Sequence, residues 1–190
     1  MTDTETIRID PDCGLTSEQA ALRTPAGTPS PSGKTGKEIV LTHCFTFFNL
    51  IFVVLAVRRG LALGYREFVL YGSLDGPRLD HTVANFQTLA FLADHGAYGY
   101  LVGRDTLVTV VKNGTITFPA GKDGTISVFC MGADAHGVTL EGLYYPLDNG
   151  VLTCGFPIGT SNHFTGKEAK ITVKDGSLLI IWERKDGFPL

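Results

Sequence analysis

The second half of the chain is a series of short apolar segments separated by turns, and this pattern constrains the fold most. From about residue 104, four stretches alternate apolar and polar residues between glycine-containing turns: DTLVTVVKNGTITFPAG, GTISVFCMG, GVTLEGLYYPLDNGVLTCG and EAKITVKDGSLLIIWERK. Asn113-Gly114 is the strongest short hairpin signal, so we expect a hairpin there, and we expect the last two strands to join at Asp175-Gly176. Short strands without an intervening helix predict an all-β sandwich or barrel over residues 104–190.

Helical and strand patterns alternate upstream of this region. LAVRRGLALGYREF predicts a helix that Gly64 ends, and EFVLYG predicts a short buried strand. A second helix follows, with Asp80 at the N-cap position, and AYGYLVG predicts the next strand. The expected apolar face of this second helix is Val83, Phe86, Leu89, Ala90 and Ala93. The alternation predicts a partial α/β domain over residues 39–103, with a Rossmann-like parallel sheet.

The beginning of the chain differs in composition. Residues 1–38 are rich in Pro, Gly, Ser and Thr, which predicts a linker or disordered segment. Residues 39–57 contain no Asp, Glu, Lys or Arg, and such a run is close to the roughly 20 residues that span a bilayer. A buried strand passing into a helix explains this run as well, and we favour it over a membrane span. The polar N-terminus does not resemble a signal peptide, and we expect a cytoplasmic protein.

Charge and cysteine content argue against several classes of partner. The 190 residues carry a formal net charge of −3, and no Lys/Arg cluster is longer than Arg58-Arg59. Nucleic acid is therefore not an expected partner, because phosphate binding is normally marked by a basic patch. The four cysteines form no CxxC pair and have no histidine at zinc-ligand spacing. We therefore expect neither a disulfide framework nor a structural zinc site.

The stretch YGSLDGPRLDHT, residues 71–82, contains many functional groups for a plain turn. It lies where a parallel strand ends and a helix begins, which is where open α/β sheets bind ligands. Arg78 offers a fork of donors suited to phosphate, and His81 could donate to phosphate as well. Asp80 could accept a hydroxyl proton or hold Mg²⁺. The alternative is purely structural, with Asp80 a helix cap and Arg78 its neighbour, and the local pattern leaves both readings open.

A second candidate loop joins two apolar strands within FPIGTSNHFTGKEAKITV. Its polar residues are Thr160, Ser161, Asn162, His163 and Thr165. Ser and Asn side chains can hydrogen-bond a small polar heterocycle, and Phe164 could offer a stacking face. An ordinary polar loop is the alternative, and the local pattern favours it.

The two loops together resemble one family. GSLDGPRLDHTVANFQTLAFL resembles the Gly-Gly-Arg-x-Asp-His segment of thiamine pyrophosphokinases, and GVTLEGLYYPLDNGVLTCGFPIGTSNHFTGKEAKITVKDGSLLII resembles their C-terminal thiamine-binding domain. The resemblance covers roughly residues 55–185. It implies transfer of a pyrophosphoryl group from ATP to the hydroxyl of thiamine, giving thiamine diphosphate and AMP with the help of Mg²⁺. It also implies a homodimer that binds thiamine between the β domain of one subunit and the α/β domain of the other.

The resemblance assigns roles to individual positions. Arg78, together with Gly76 and His81, would contact phosphate, and Asp80 would act near the metal and the substrate hydroxyl. Ser161, Asn162 and Phe164 would bind thiamine, the first two matching the family's Ser-Asn pair.

Two departures from the family pattern accompany these matches. Pro77 replaces the second glycine, which removes a backbone N–H from the loop. Neither the family's upstream Gly-Asp-x-Asp-Ser loop nor its Thr-Asp pair is present. The alternative interpretation is therefore a truncated or frame-shifted form that binds thiamine or dimerises without catalysis, because it lacks the carboxylates for Mg·ATP.

Overall fold

The computed structural model describes residues 53–184. The predicted linker at 1–38, and most of the uncharged run at 39–57, lie outside the described residues. Among the described residues, no helix is long and apolar enough to cross a bilayer.

Two helices and two strands form the first part of the described fold. Helix α1 covers residues 53–62, and the chain turns at Gly64, which has a positive φ of 92°. Strand β1 (Glu67–Tyr71), helix α2 (Leu79–Asp94) and strand β2 (Tyr98–Val102) follow. Strands β1 and β2 pair in parallel, as the predicted helix–strand alternation requires.

The buried face of helix α2 differs from the predicted one, and of the five predicted residues only Leu89 is fully buried. Leu89 and Leu92 are almost fully covered, whereas Val83 is exposed. Asn85 and Thr88 take buried positions beside the two leucines. The Thr88 hydroxyl donates to the Ala84 carbonyl at 3.0 Å, so this polar group is satisfied inside its own helix.

Eight further strands make up the rest of the described chain. They are β3 (Thr106–Lys112), β4 (Thr115–Phe118), β5 (Thr125–Cys130), β6 (Ala135–Glu141), β7 (Leu147–Leu152), β8 (Asn162–His163), β9 (Ala169–Thr172) and β10 (Ser177–Glu183). A six-stranded sheet has the order β1-β2-β3-β10-β5-β8, and a four-stranded sheet has the order β4-β9-β6-β7. The predicted β-sandwich is thus present, and its larger sheet continues through β2 and β3 across the predicted domain boundary at 103/104. The domain boundaries themselves stay a prediction.

The hairpin predicted at Asn113-Gly114 is wrong, because β3 and β4 lie in different sheets. Strands β9 and β10 are joined at Asp175-Gly176 as predicted, and they also lie in different sheets. The chain changes sheets at both dipeptides, and the two bends hydrogen-bond to each other. The Asn113 amide donates to the Gly176 carbonyl at 3.1 Å, and the Gly176 amide donates to Asn113 Oδ1 at 2.9 Å. Strands that switch sheets at bends make the corners of such sandwiches.

The larger sheet is covered on both faces. On β10, Leu178, Ile180 and Trp182 pack into the core between the sheets, and Leu179 packs on the opposite face, in the cluster that contains Leu89 and Leu92 of α2. Alternate residues of a strand point to opposite faces, so one apolar strand serves both cores. Burying each large aliphatic side chain contributes about 1.5–3 kcal/mol.

Gly142, directly after β6, lies against the backbone of Glu168, directly before β9, and substitution of this glycine tests how closely the two segments pack. A Cβ on Gly142 would lie 2.0 Å from the Glu168 carbonyl oxygen, whereas a Cβ on Gly166 would meet nothing within 4 Å. Both glycines have positive φ, 72° and 77°, so alanine carries a similar backbone cost of about 1–2 kcal/mol at each. We predict that Gly142→Ala lowers the free energy of unfolding by at least about 2 kcal/mol more than Gly166→Ala. Urea denaturation measures the difference, and equal losses in the two variants would contradict the observed packing.

Candidate functional site

The loop after β1 is fixed by three hydrogen bonds. The Ser73 hydroxyl donates to the Leu70 carbonyl at 3.0 Å, and the Asn85 side chain donates to the Ser73 carbonyl at 2.8 Å. The Arg104 amide donates to Asp75 Oδ2 at 2.7 Å, which ties the loop to the turn after β2. Buried Asn85 therefore holds the loop to α2, and Asp75 holds it to the neighbouring strand end.

Arg78 and Asp80 form a bidentate ion pair at the start of α2. Arg78 Nε donates to Asp80 Oδ1 at 2.8 Å, and Arg78 Nη2 donates to Asp80 Oδ2. The predicted N-cap role of Asp80 is wrong: Arg78 occupies the N-cap position without a side-chain cap, and Asp80 lies inside the first turn. A carboxylate in the first turn is still favourable, because the N-terminus of a helix carries partial positive charge.

The ion pair sets the electrostatics of this loop. The hydrogen bond from Arg78 lowers the pKa of Asp80 from 3.8 to about 2, and the same contact raises the pKa of Arg78. A carboxylate with so low a pKa is a weak proton acceptor near neutral pH. Asp80 in this arrangement is thus an anchor for the guanidinium, and a role as general base requires the pair to open.

Gly76 and His81 lie in the same turn as the ion pair. Gly76 is exposed and has open space around it, so a ligand can approach its backbone. His81 is half-buried, and its amide donates to the Arg78 carbonyl at 3.2 Å. The structure thus brings Gly76, Arg78, Asp80 and His81 together, and we call residues 72–82 the phosphate loop, after the role that the resemblance implies for them.

Asn162 fixes the second candidate loop from the inside. It is 3% exposed and starts β8. Its Oδ1 accepts from the amides of Tyr145 at 2.9 Å and His163 at 2.8 Å, and its Nδ2 donates to the Tyr145 carbonyl at 2.7 Å. Asn162 therefore holds the backbone of Tyr145 rather than facing solvent. We call residues 156–165 together with 144–145 the β8 loop region.

Ser161 and Phe164 have different surroundings. Ser161 is exposed, has a positive φ of 58°, and donates its amide to the Ser127 hydroxyl at 3.1 Å. Phe164 lies in the core, with its ring edge-on to Phe118 at a centroid distance of 5.2 Å. A stacking contact with a ligand would have to displace this packing, so the burial of Phe164 argues against the predicted stacking role.

Four large apolar side chains of the β8 loop region are exposed, and the sequence reasoning did not single them out. They are Tyr144, Tyr145, Phe156 and Ile158. The two tyrosine rings are edge-on to each other at 4.8 Å. Two adjacent aromatic residues between strand patterns, in GLYYP, were the available signal. Exposed aromatic side chains of this kind are typical of binding surfaces.

The phosphate loop and the β8 loop region lie at opposite edges of the six-stranded sheet. One row of paired residues crosses the whole sheet: Tyr71, Val102, Leu107, Trp182, Ile126 and Asn162. Five strand spacings of about 4.8 Å separate its ends, so Tyr71 and Asn162 are roughly 24 Å apart along the sheet. The two loops are at the same end of the strands but do not meet within one chain.

These features define a class of protein, a β-sandwich whose larger sheet carries a βαβ unit with a polar loop at its strand end. Residues 113–178 match the family described as thiamin pyrophosphokinase, vitamin B1 binding domain. This match to the thiamine-binding domain confirms the resemblance to thiamine pyrophosphokinases seen in the sequence. No curated protein matches the chain significantly.

Solved structures share the fold. The thiamine pyrophosphokinase from Bacillus subtilis superposes with a TM-score of 0.65 at 23% identity, covering 70% of this chain and 63% of that one. The thiamin pyrophosphokinase from Geobacillus thermodenitrificans superposes with a TM-score of 0.57 at 24% identity, covering 84% of this chain and 66% of that one. The thiamin pyrophosphokinase from Candida albicans superposes with a TM-score of 0.54 at 14% identity, covering 62% of this chain and 44% of that one. The chain therefore spans less than two thirds of the length of these relatives.

We predict that Asp80 titrates with a pKa of about 2, and that Arg78→Met returns the pKa toward 3.8. Folding lowers this pKa, so the ion pair stabilises the fold fully at pH values above 3.8, the ordinary pKa of the carboxyl group. Its contribution to stability is lost as the pH falls through about 2. Side-chain carboxyl NMR measures the titration.

Arg66→Met is the matched control for this titration, because the Arg66 guanidinium donates to the Leu61 and Tyr65 carbonyls rather than to a carboxylate. It should leave the Asp80 titration unchanged. An Asp80 midpoint that ignores the loss of Arg78 would show that the pair does not form in solution.

Proposed function

We propose that this chain transfers a pyrophosphoryl group from ATP to thiamine, giving thiamine diphosphate and AMP. The match of residues 113–178 to the vitamin B1 binding domain is the observation that carries this proposal. In the transfer, the hydroxyl oxygen of thiamine bonds to the β-phosphorus of ATP. The bond from that phosphorus to the oxygen bridging to the α-phosphate breaks, AMP leaves with that oxygen, and the hydroxyl proton is released.

The β8 loop region is the proposed thiamine side of the site. Exposed Ser161 offers a hydroxyl to a polar heterocycle, and Asn162 holds the backbone beside Tyr144 and Tyr145. The exposed tyrosine rings could stack on a flat ring of the substrate, a role that the sequence reasoning had given to Phe164. Asn162 would thus be a positioning residue, and Ser161 would be the residue in contact with substrate.

The phosphate loop is the proposed nucleotide side, at the strand end of a small Rossmann-like unit. The N–H groups at the start of α2 favour an anion, and Arg78 suits phosphate oxygens. We infer that an arriving phosphate competes with Asp80 for the Arg78 guanidinium and opens the pair. The freed Asp80 carboxylate then accepts a hydrogen bond from the thiamine hydroxyl and orients it, because positioning and electrostatics dominate phosphoryl transfer.

The described residues of the phosphate loop do not by themselves fit a Mg²⁺ site. Its two carboxylates are Asp75 and Asp80, and each already accepts hydrogen bonds, from the Arg104 amide and the Arg78 guanidinium. Protein-bound Mg²⁺ usually takes one or two carboxylates and the substrate phosphates. We retain Mg²⁺ in the proposal only as the ion that accompanies ATP, and no step is assigned to it.

The separation of the two loops supports a homodimer. In a productive complex, the reacting oxygen and phosphorus atoms must come within about 3–3.5 Å. A substrate of two small rings does not bridge the roughly 24 Å that separates the loops along one sheet. We therefore propose that the phosphate loop of one copy faces the β8 loop region of a second copy. Exposed Tyr71, next to the phosphate loop, and exposed Leu79, within it, supply apolar surface for such a contact.

Formation of AMP from ATP and thiamine tests the reaction. We predict that Arg78→Ala, Asp80→Ala and Ser161→Ala each lower kcat/KM by at least about 100-fold, because each removes a proposed contact of the transferred group or its acceptor. Lys112→Ala is the matched control, since it breaks a similar exposed ion pair, with Asp94, at the other end of β3.

The same assay, combined with a binding measurement, distinguishes the proposed enzyme from a chain that binds thiamine without catalysis. Thiamine binding measured by calorimetry, with no AMP above the rate without protein, would replace the proposed reaction by that alternative. Absence of both binding and AMP would overturn both.

Mixing two inactive variants tests the shared site. We predict that Arg78→Ala and Ser161→Ala, unfolded and refolded together in equal amounts, recover about a quarter of the native activity, because half of the dimers are mixed and each has one intact site. Each variant refolded alone is the control. No recovery in a sample that forms mixed dimers would place both loops of the working site in one copy.

A further inference from the structure

The described residues contain one group of metal-ligating side chains apart from the phosphate loop: Cys130, Asp134 and Cys154. Cys130 ends β5, Asp134 lies in the turn before β6, and Cys154 follows β7. The sequence predicted no structural zinc site, because none of the cysteines forms a CxxC pair. Cys130 and Cys154 are 24 positions apart. The fold brings them together, since β5 of the larger sheet and β7 of the smaller sheet end at the same place.

The three side chains have the dimensions of a tetrahedral site. The sulfur atoms of Cys130 and Cys154 are 3.0 Å apart, and all three ligand atoms lie within 4.8 Å of one another. Ligand atoms bound to zinc at about 2.0–2.3 Å stand roughly 3.3–3.8 Å apart, so small side-chain rotations suffice. Asp134 is already oriented, because its Oδ1 accepts the Cys154 amide at 2.8 Å and its second oxygen can face a metal.

The charge of the group favours a cation. The Asp134 carboxylate lies beside the two cysteine side chains. Two cysteine sulfurs and a carboxylate together provide negative charge that a divalent cation neutralises.

We propose that Cys130, Cys154 and Asp134 bind a zinc-class divalent cation, with the fourth position open to water or another ligand. Sulfur ligands select such a metal over Mg²⁺ and Ca²⁺. Both cysteines line a cavity of about 180 Å³, with Phe156 and Ile158 among its other walls, which leaves room for a fourth ligand.

The cation would join the ends of the two sheets. Cys154 begins the segment that leads through Gly159 to Ser161, and the Gly159 carbonyl accepts the Val128 amide at 2.9 Å. A metal held between Cys130 and Cys154 therefore fixes the start of the β8 loop region against β5. Any ligand that binds only the folded chain stabilises it by mass action, so the metal should raise the unfolding temperature.

Titration of the reduced full chain with Zn²⁺ against a chromophoric chelator tests this site. We expect one equivalent per chain, and the same in Cys13→Ser/Cys44→Ser, which keeps only the two proposed thiols. Cys130→Ser and Cys154→Ser should each weaken Zn²⁺ binding by at least about tenfold, and Asp134→Asn should weaken it too. Co²⁺ in place of Zn²⁺ should give a sulfur-to-cobalt charge-transfer band that Cys154→Ser removes.

The circular dichroism spectrum and the unfolding temperature distinguish loss of the metal site from a folding defect. Cys154 is exposed, so Cys154→Ser should keep the circular dichroism spectrum and the unfolding temperature of the metal-free chain. Zn²⁺ should raise that temperature in the native chain and not in the variant. The site is refuted if the reduced chain binds no Zn²⁺, if Cys154→Ser binds it unchanged, or if Cys13→Ser/Cys44→Ser loses it.

Discussion

The paired bends at Asn113 and Gly176 are the constraint on which the rest of the structure depends. They carry two neighbouring strands together from one sheet to the other, so β3 pairs with β10 on one side and β4 pairs with β9 on the other. Two hydrogen bonds join the bends directly. Strand β10 lies in the interior of the larger sheet, between β3 and β5, and its side chains pack into the cores on both faces.

The pairing of β3 with β10 determines where the candidate functional groups lie. Strand β3 pairs with β2 and so attaches the βαβ unit, while β10 pairs with β5 and so attaches β8. The phosphate loop and the β8 loop region therefore occupy opposite edges of one continuous sheet. A sheet built in this way holds each loop firmly and keeps them apart, which is the physical reason for proposing a site shared by two copies.

Much of the fold follows from local sequence patterns, whereas its connections do not. Strands were predictable because apolar residues alternate with a period of two, and α2 because Phe86, Leu89 and Ala93 recur at helical spacing. The dipeptide Asn113-Gly114 has the same local preference in a hairpin and in a corner, so only the distant partner Gly176 decides between them. In the same way, the low pKa of Asp80 depends on its pairing with Arg78, and the contact between Cys130 and Cys154 depends on two sheets meeting. The positions of Arg78, Ser161 and Asn162 were recognisable as motifs, but the burial of Asn162 and the exposure of Tyr144 were not.

The central claim is that one working site takes its phosphate loop and its β8 loop region from two different copies of the chain. A crystal structure of the full chain with thiamine diphosphate tests this most directly. The account predicts that the diphosphate contacts Arg78 of one copy while the heterocycle lies against Ser161 and Tyr145 of the other. A single copy that contacts both ends of the ligand would contradict it.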